Sequence, residues 1–196
     1  MGLSENIKRN ISNIPGWRTS KKIVVIESDD WGSIRMSSID SYHRLLKLGF
    51  PVNQSHYNKF DSLESNDDLS SLFELLTKFK DKNGKNPVIT AVSIVGNPDF
   101  KKIFDADFKS YYYESFTETL KKYPNHDKVF SLYNEGIEKR LFVPVFHGRE
   151  HLNVKRWMTD LQNGNKSVIQ AFSEEVTRGQ AEYRRCHQEQ RDQPDY

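Results

Sequence analysis

A chain of 196 residues with 29 basic and 27 acidic side chains, a net charge of +2 and a mean hydropathy of −0.77 has the size of one domain with a core and the polarity of an aqueous fold. Charges of both signs are interspersed, so there is no basic stripe to track phosphates and nucleic acid is not an expected partner. The one cysteine, Cys186, excludes an internal disulfide and a cysteine-rich zinc motif, and no apolar run has the length of a signal-peptide core or a membrane span, so a cytoplasmic location without a membrane partner is expected.

Residues 1–22 read as a polar arm ending in Lys21-Lys22. The continuous apolar run Ile23-Val24-Val25-Ile26 predicts a strand buried on both faces, with the acidic pair Asp29-Asp30 just beyond its end. From Ser38 a helix is predicted, with Ile39, Tyr42, Leu45 and Leu46 on one face and Gly49 and Pro51 as its stop. After a polar loop, Asn66 or Asp67 caps the clearest helical pattern, Leu69, Leu72, Phe73, Leu76 and Phe79, which Gly84 ends. The β-branched stretch Pro87–Val95 is the second predicted strand, closed by the turn signal Gly96-Asn97-Pro98.

Further on, Phe116 and Leu120 predict a short helix before Pro124, and Val129, Leu132, Tyr133 and Ile137 another. Leu141–Phe146 is the third predicted strand, with Pro144 tolerated at an edge or bulge. Asn153 caps a helical pattern at Val154, Trp157, Met158 and Leu161, and Val168, Ile169, Phe172 and Val176 give the last. Residues 177–196 lack Leu, Ile, Val, Phe, Met and Trp, which predicts a disordered tail after a domain at 23–176. The fold class is α/β, with parallel strands and flanking helices. Three strands are too few to close a barrel, so an incomplete one is expected, with an exposed strand edge through which the chain can form a homo-oligomer.

The chemistry sits at two strand ends. Asp29-Asp30 follows the first, and His147-Gly148-Arg149-Glu150-His151 follows the third. Two imidazoles and one carboxylate suit zinc or another divalent transition metal and leave coordination positions free. Asp30, His147 and His151 are the expected ligands, and Asp29 is left as a base able to accept a proton from an activated water. Trp31, Arg35, Arg149 and Glu150 adjoin these motifs and are weaker candidates for sugar contacts, through stacking and hydrogen bonds to hydroxyls. His43, His56, His126 and His187 have no companion at ligand spacing, and Tyr111–Tyr113 reads as a packing cluster.

In this order the motifs resemble those of the polysaccharide deacetylase family (NodB-like, carbohydrate esterase 4). Its Thr-Phe-Asp-Asp-Gly corresponds to Glu27-Ser28-Asp29-Asp30-Trp31-Gly32, with Trp31 inserted before the glycine. Its His-Ser/Thr-x-x-His corresponds to His147–His151, with Gly148 in the hydroxyl position. The resemblance implies part of a distorted (β/α) barrel, a divalent metal such as zinc, an acetylated carbohydrate as substrate, Asp29 as general base, and Asp30, His147 and His151 as metal ligands. It spans roughly residues 23–176, and the later arginine-groove, Asp-Trp and Leu-x-His motifs have no counterpart, so a truncated member is expected. The alternative is a catalytically incomplete remnant that acts through interaction or self-association. Deacetylases of the PIG-L type rank last, because they place His and Pro where Glu27 and Ser28 precede the acidic pair.

Overall fold

The computed structural model describes residues 3–12, 14–60 and 62–177. The polar arm contains a helix, α1 (Leu3–Ser12), that its polar composition concealed. Strand β1 is Ile26–Trp31, displaced toward the C-terminus from the predicted run. Ile23, Val24 and Val25 stay outside the sheet, with Val24 85% exposed. The cause is pairing: β1 meets its neighbour from Ile26↔Ile89 onward, so register with the partner, and not apolarity, sets the strand's start. The acidic pair therefore lies within the strand and not beyond it.

Helix α2 (Ile39–Lys47) is capped by Ser38, whose side chain accepts from the backbone N–H of Ser41, and it buries Tyr42 and Leu45. Ile39 and Leu46 stay exposed. A 3-10 turn at Val52–Gln54 and a short helix, α3 (His56–Phe60), occupy the segment read as a loop. Helix α4 (Asn66–Thr77) is capped one or two residues earlier than predicted, by Ser65, which forms a reciprocal capping box with Asp68. It also ends earlier. The Asn86 side-chain amide donates to the carbonyls of Leu76, Thr77 and Phe79, satisfying the last turn and leaving Phe79 outside.

Strand β2 (Ile89–Ile94) leads directly into β3 (Gly96–Pro98), α5 (Phe100–Asp105), β4 (Tyr113–Ser115) and α6 (Phe116–Leu120). The predicted turn at Gly96-Asn97-Pro98 is thus a strand, paired antiparallel with β4 through Gly96↔Ser115, Asn97↔Glu114 and Pro98↔Tyr113. Helix α7 (Val129–Glu138), strand β5 (Phe142–Gly148), α8 (Val154–Gln162) and α9 (Lys166–Phe172) complete the described chain. The tail expected to be disordered lies outside the described residues from 178 onward.

The main sheet is parallel, in the order β1-β2-β5. The α/β class with flanking helices is therefore correct. Among the described residues the sheet does not close into a barrel, and β1 and β5 are both edges. Pro144 is accommodated because β5 has a neighbour on one side only. One sheet face packs Ile89, Ala91 and Phe142 against Leu69, Phe73 and Leu76 of α4 and Val129 and Tyr133 of α7. Gly136 lets α7 approach: a Cβ there would lie 2.8 Å from Phe142 Cβ and would collide with the Phe73 ring. Two smaller cores flank this one, around Leu45, Phe50 and Val52, and around Ile103, Trp157 and Phe172.

Candidate metal centre

The acidic pair is presented by an irregularity in β1. Pairing with β2 runs to Ser28↔Ala91 and resumes at Trp31↔Ser93, so Asp29 and Asp30 together face a single residue of the partner strand. Asp30 adopts φ 61°, a left-handed conformation that aspartate tolerates better than most residues. The result separates two adjacent carboxylates. The Asp29 side chain is 63% exposed, and that of Asp30 is 17% exposed. Asp29 Oδ1 accepts the Asp30 backbone N–H at 2.9 Å.

The turn that follows is held from three sides. Ser33 N–H donates to the Asp30 carbonyl at 3.1 Å. Buried Asn97 of β3 accepts Ile34 N–H at 3.2 Å and donates to the Gly32 carbonyl at 2.9 Å. Glu64 accepts Gly32 N–H at 3.1 Å and the Tyr133 hydroxyl. Burial pushes the Glu64 carboxyl above its ordinary range, against these hydrogen bonds, which pull it down. Burial and the Glu64 charge together push the Tyr133 phenol up. Such multiple restraint is what a left-handed aspartate requires in order to persist.

The histidines arrive on a matching irregularity of β5. Ser93 pairs with Phe146 and Ile94 with Gly148, so His147 is the unpaired residue between them. Gly148 has φ 150°, a region essentially confined to glycine, and it turns the chain so that His151 comes back beside His147 with ring centroids 5.7 Å apart. His147 Nε2 stands 3.4 Å from Asp29 Oδ1 and 3.9 Å from Asp30 Oδ1, and His151 Nδ1 stands 3.4 Å from Asp30 Oδ2.

One potential ligand atom each from Asp30, His147 and His151 lies within 4.8 Å of the others, so the three can hold a metal ion. The donor set fits a divalent transition metal. A second observation agrees: Asp30 Oδ1 is buried without a hydrogen-bond partner, which is costly unless something else occupies it. Oδ2 of the same carboxylate already pairs with Arg35 Nη2 at 3.1 Å.

The four weaker candidates are placed differently. Trp31 lies edge-on against Phe142 and Tyr133, part of the core's rim. Arg35 lies between Asp30 and the ring of Tyr57. Arg149 and Glu150 engage each other through two hydrogen bonds, and the Arg149 guanidinium covers Tyr113 at 4.4 Å and Tyr111 at 5.4 Å. His126 bridges the carbonyls of Pro124 and Leu63, as a structural histidine should, and His187 lies outside the described residues.

Sequence reasoning missed Glu64, Asn97 and Tyr133. Glu64 sits in a polar stretch with no pattern, and Tyr133 registers only as one apolar position of a helix. Asn97 was hidden inside a turn signal. Among the described residues no helix is long and apolar enough to cross a membrane. No family model, curated protein or solved structure matches the chain.

Proposed function

We propose that the chain is a metal-dependent hydrolase of the polysaccharide deacetylase type, with zinc as the metal and an N- or O-acetylated sugar or glycan as substrate. In this reading the three-stranded sheet is part of a NodB-type distorted (β/α) barrel. The observation that carries it is the convergence of Asp30 with His147 and His151 across the sheet, with Asp29 alongside. A divalent cation held by these residues would supply Lewis acidity to an acyl carbonyl and lower the pKa of a water molecule.

The protein's own groups then divide the work. Asp30, half enclosed and paired with Arg35, is fixed as a ligand. Asp29, exposed and next to His147, is the group free to take the proton of the water that attacks the acetyl carbon. The bond from that carbon to the sugar nitrogen or oxygen breaks as that atom takes up a proton, giving acetate and a free amine or hydroxyl. The test is acetate release from N-acetylglucosamine oligomers and an O-acetylated glycan with zinc or cobalt saturating. Release by the wild type that Asp29→Asn abolishes supports the reading, whereas no release from any acetylated substrate contradicts it.

A second reading, a non-catalytic protein that acts by self-association, draws on the β5 edge, where Val143, Val145 and Phe146 are exposed, the last at 71%. Concentration-dependent association that Val145→Lys suppresses would favour it, and a monomer with a single sharp melting transition would oppose it.

A further inference from the structure

Arg149 and Glu150 stand between the two histidines in sequence, and their side chains engage each other, with Arg149 44% exposed and Glu150 largely buried. Glu150 is a carboxylate with a histidine as its immediate C-terminal neighbour, yet it does not join the cluster. Both of its oxygens are taken by Arg149, Oε2 by Nε and Oε1 by Nη2 at 2.9 Å, and its side chain is only 8% exposed. The fork removes a competing ligand and neutralises a cation that would otherwise repel a metal.

The fork is itself anchored. The Arg149 guanidinium lies over the Tyr113 ring, and Tyr113 belongs to β4, which pairs with β3. The Arg149 carbonyl accepts Gly96 N–H at 2.7 Å and Val95 N–H at 3.2 Å, so backbone and side chain of one residue grip the same β3–β4 ribbon. Gly96 makes the approach feasible: a Cβ there would lie 2.9 Å from the Glu114 carbonyl and 3.2 Å from the Tyr113 ring. The same ribbon holds the other half of the site, because Asn97 of β3 bonds both sides of the turn after Asp30.

We propose that the β3–β4 ribbon is the frame that sets the spacing between Asp30 and the two histidines, with Arg149, Glu150 and Tyr113 as positioning residues that lock the His147–His151 loop onto it. The proposal rests on the metal-site reading and reassigns Arg149 and Glu150 from sugar contacts to support of the ligands. Residues supporting metal ligands are worth roughly 10–100-fold in metal affinity.

The test pairs cobalt(II) titration, followed by visible absorption, with backbone hydrogen exchange of the metal-free protein. Wild type, Arg149→Met, Tyr113→Leu and Tyr113→Phe are compared, each checked for folding by its melting transition. Arg149→Met and Tyr113→Leu are expected to bind cobalt roughly 10–100-fold more weakly, with an altered spectrum. They are also expected to exchange faster across residues 142–151 while other segments keep their protection. Tyr113→Phe keeps the ring face and is expected to match wild type. Wild-type cobalt affinity in Arg149→Met and Tyr113→Leu overturns the proposal, and so does unchanged exchange in that segment. A wild type that takes up no cobalt counts against the metal reading, and the exchange arm then decides the loop anchoring by itself.

Discussion

Asp30 offers a different oxygen to each histidine: Oδ1 lies 3.9 Å from His147 Nε2, and Oδ2 lies 3.4 Å from His151 Nδ1. That arrangement depends on two irregularities on opposite sides of β2, one in each edge strand. It also depends on an aspartate held at φ 61°. The site is thus a product of local departures from regular pairing, each with a measurable consequence.

The two aspartates are expected to separate by function. Asp30→Asn should remove metal binding and activity together, because Asp30 is a proposed ligand. Asp29→Asn should retain the metal and lower acetate release by about 10²–10⁴-fold, the range for losing a general base. Metal content and turnover measured on both variants check this, and equal metal loss in both would assign Asp29 to the ligand set.

Asn97→Ala strips the turn after Asp30 of two partners and leaves Ile34 N–H and the Gly32 carbonyl without them. Unsatisfied buried groups cost about 1–3 kcal/mol each, so urea unfolding should show a loss of at least that size. Metal affinity should fall with it, because the turn sets the position of Asp30.

Gly148→Ala meets no steric obstacle, since the nearest atom to an added Cβ would be the Glu150 carbonyl oxygen at 3.9 Å, an ordinary van der Waals contact. Its cost is conformational: at φ 150° a side chain is strained by about 1–3 kcal/mol. The variant is expected either to lose that stability in chemical denaturation or to relax the loop, separating His147 from His151 and weakening metal binding.

Glu64 gives the fold a pH dependence of defined sign. Burial raises its folded-state pKa above the unfolded value, so the folded protein binds the extra proton between the two values. Its contribution is fully present below the unfolded pKa and is lost as pH rises through the folded one. Glu64→Gln removes this term. The stability difference between wild type and Glu64→Gln, measured by urea melts from about pH 4 to about pH 8, should shift steadily against the wild type as pH rises. A difference independent of pH would show that Glu64 titrates normally.

Much of the fold was legible because its signals are local. The helix start near Ser38, the cap at Asn153, the apolar stripe of α4 and the β-branched β2 can all be read from neighbouring residues. The start of β1 was not legible, because Ile23–Val25 are as apolar as a strand and only pairing with Ile89 excludes them. Strand β3 was read as a turn for a related reason: Gly96-Asn97-Pro98 has turn composition, and its strand character comes from β4 pairing across an intervening helix. The three ligand candidates were legible as residue types in order along the chain. The groups that hold the turn after Asp30, Glu64, Asn97 and Tyr133, were not, because their roles arise from contacts distant in sequence.

The most direct measurement is the metal content of tag-free protein, by elemental analysis after offering zinc and removing excess, for wild type and His147→Ala. About one divalent ion per chain in the wild type, lost in His147→Ala, is the expected result for a three-residue site of this kind. Wild-type protein that retains no metal, or a variant that retains as much as wild type, would contradict the metal centre and with it the proposed hydrolysis.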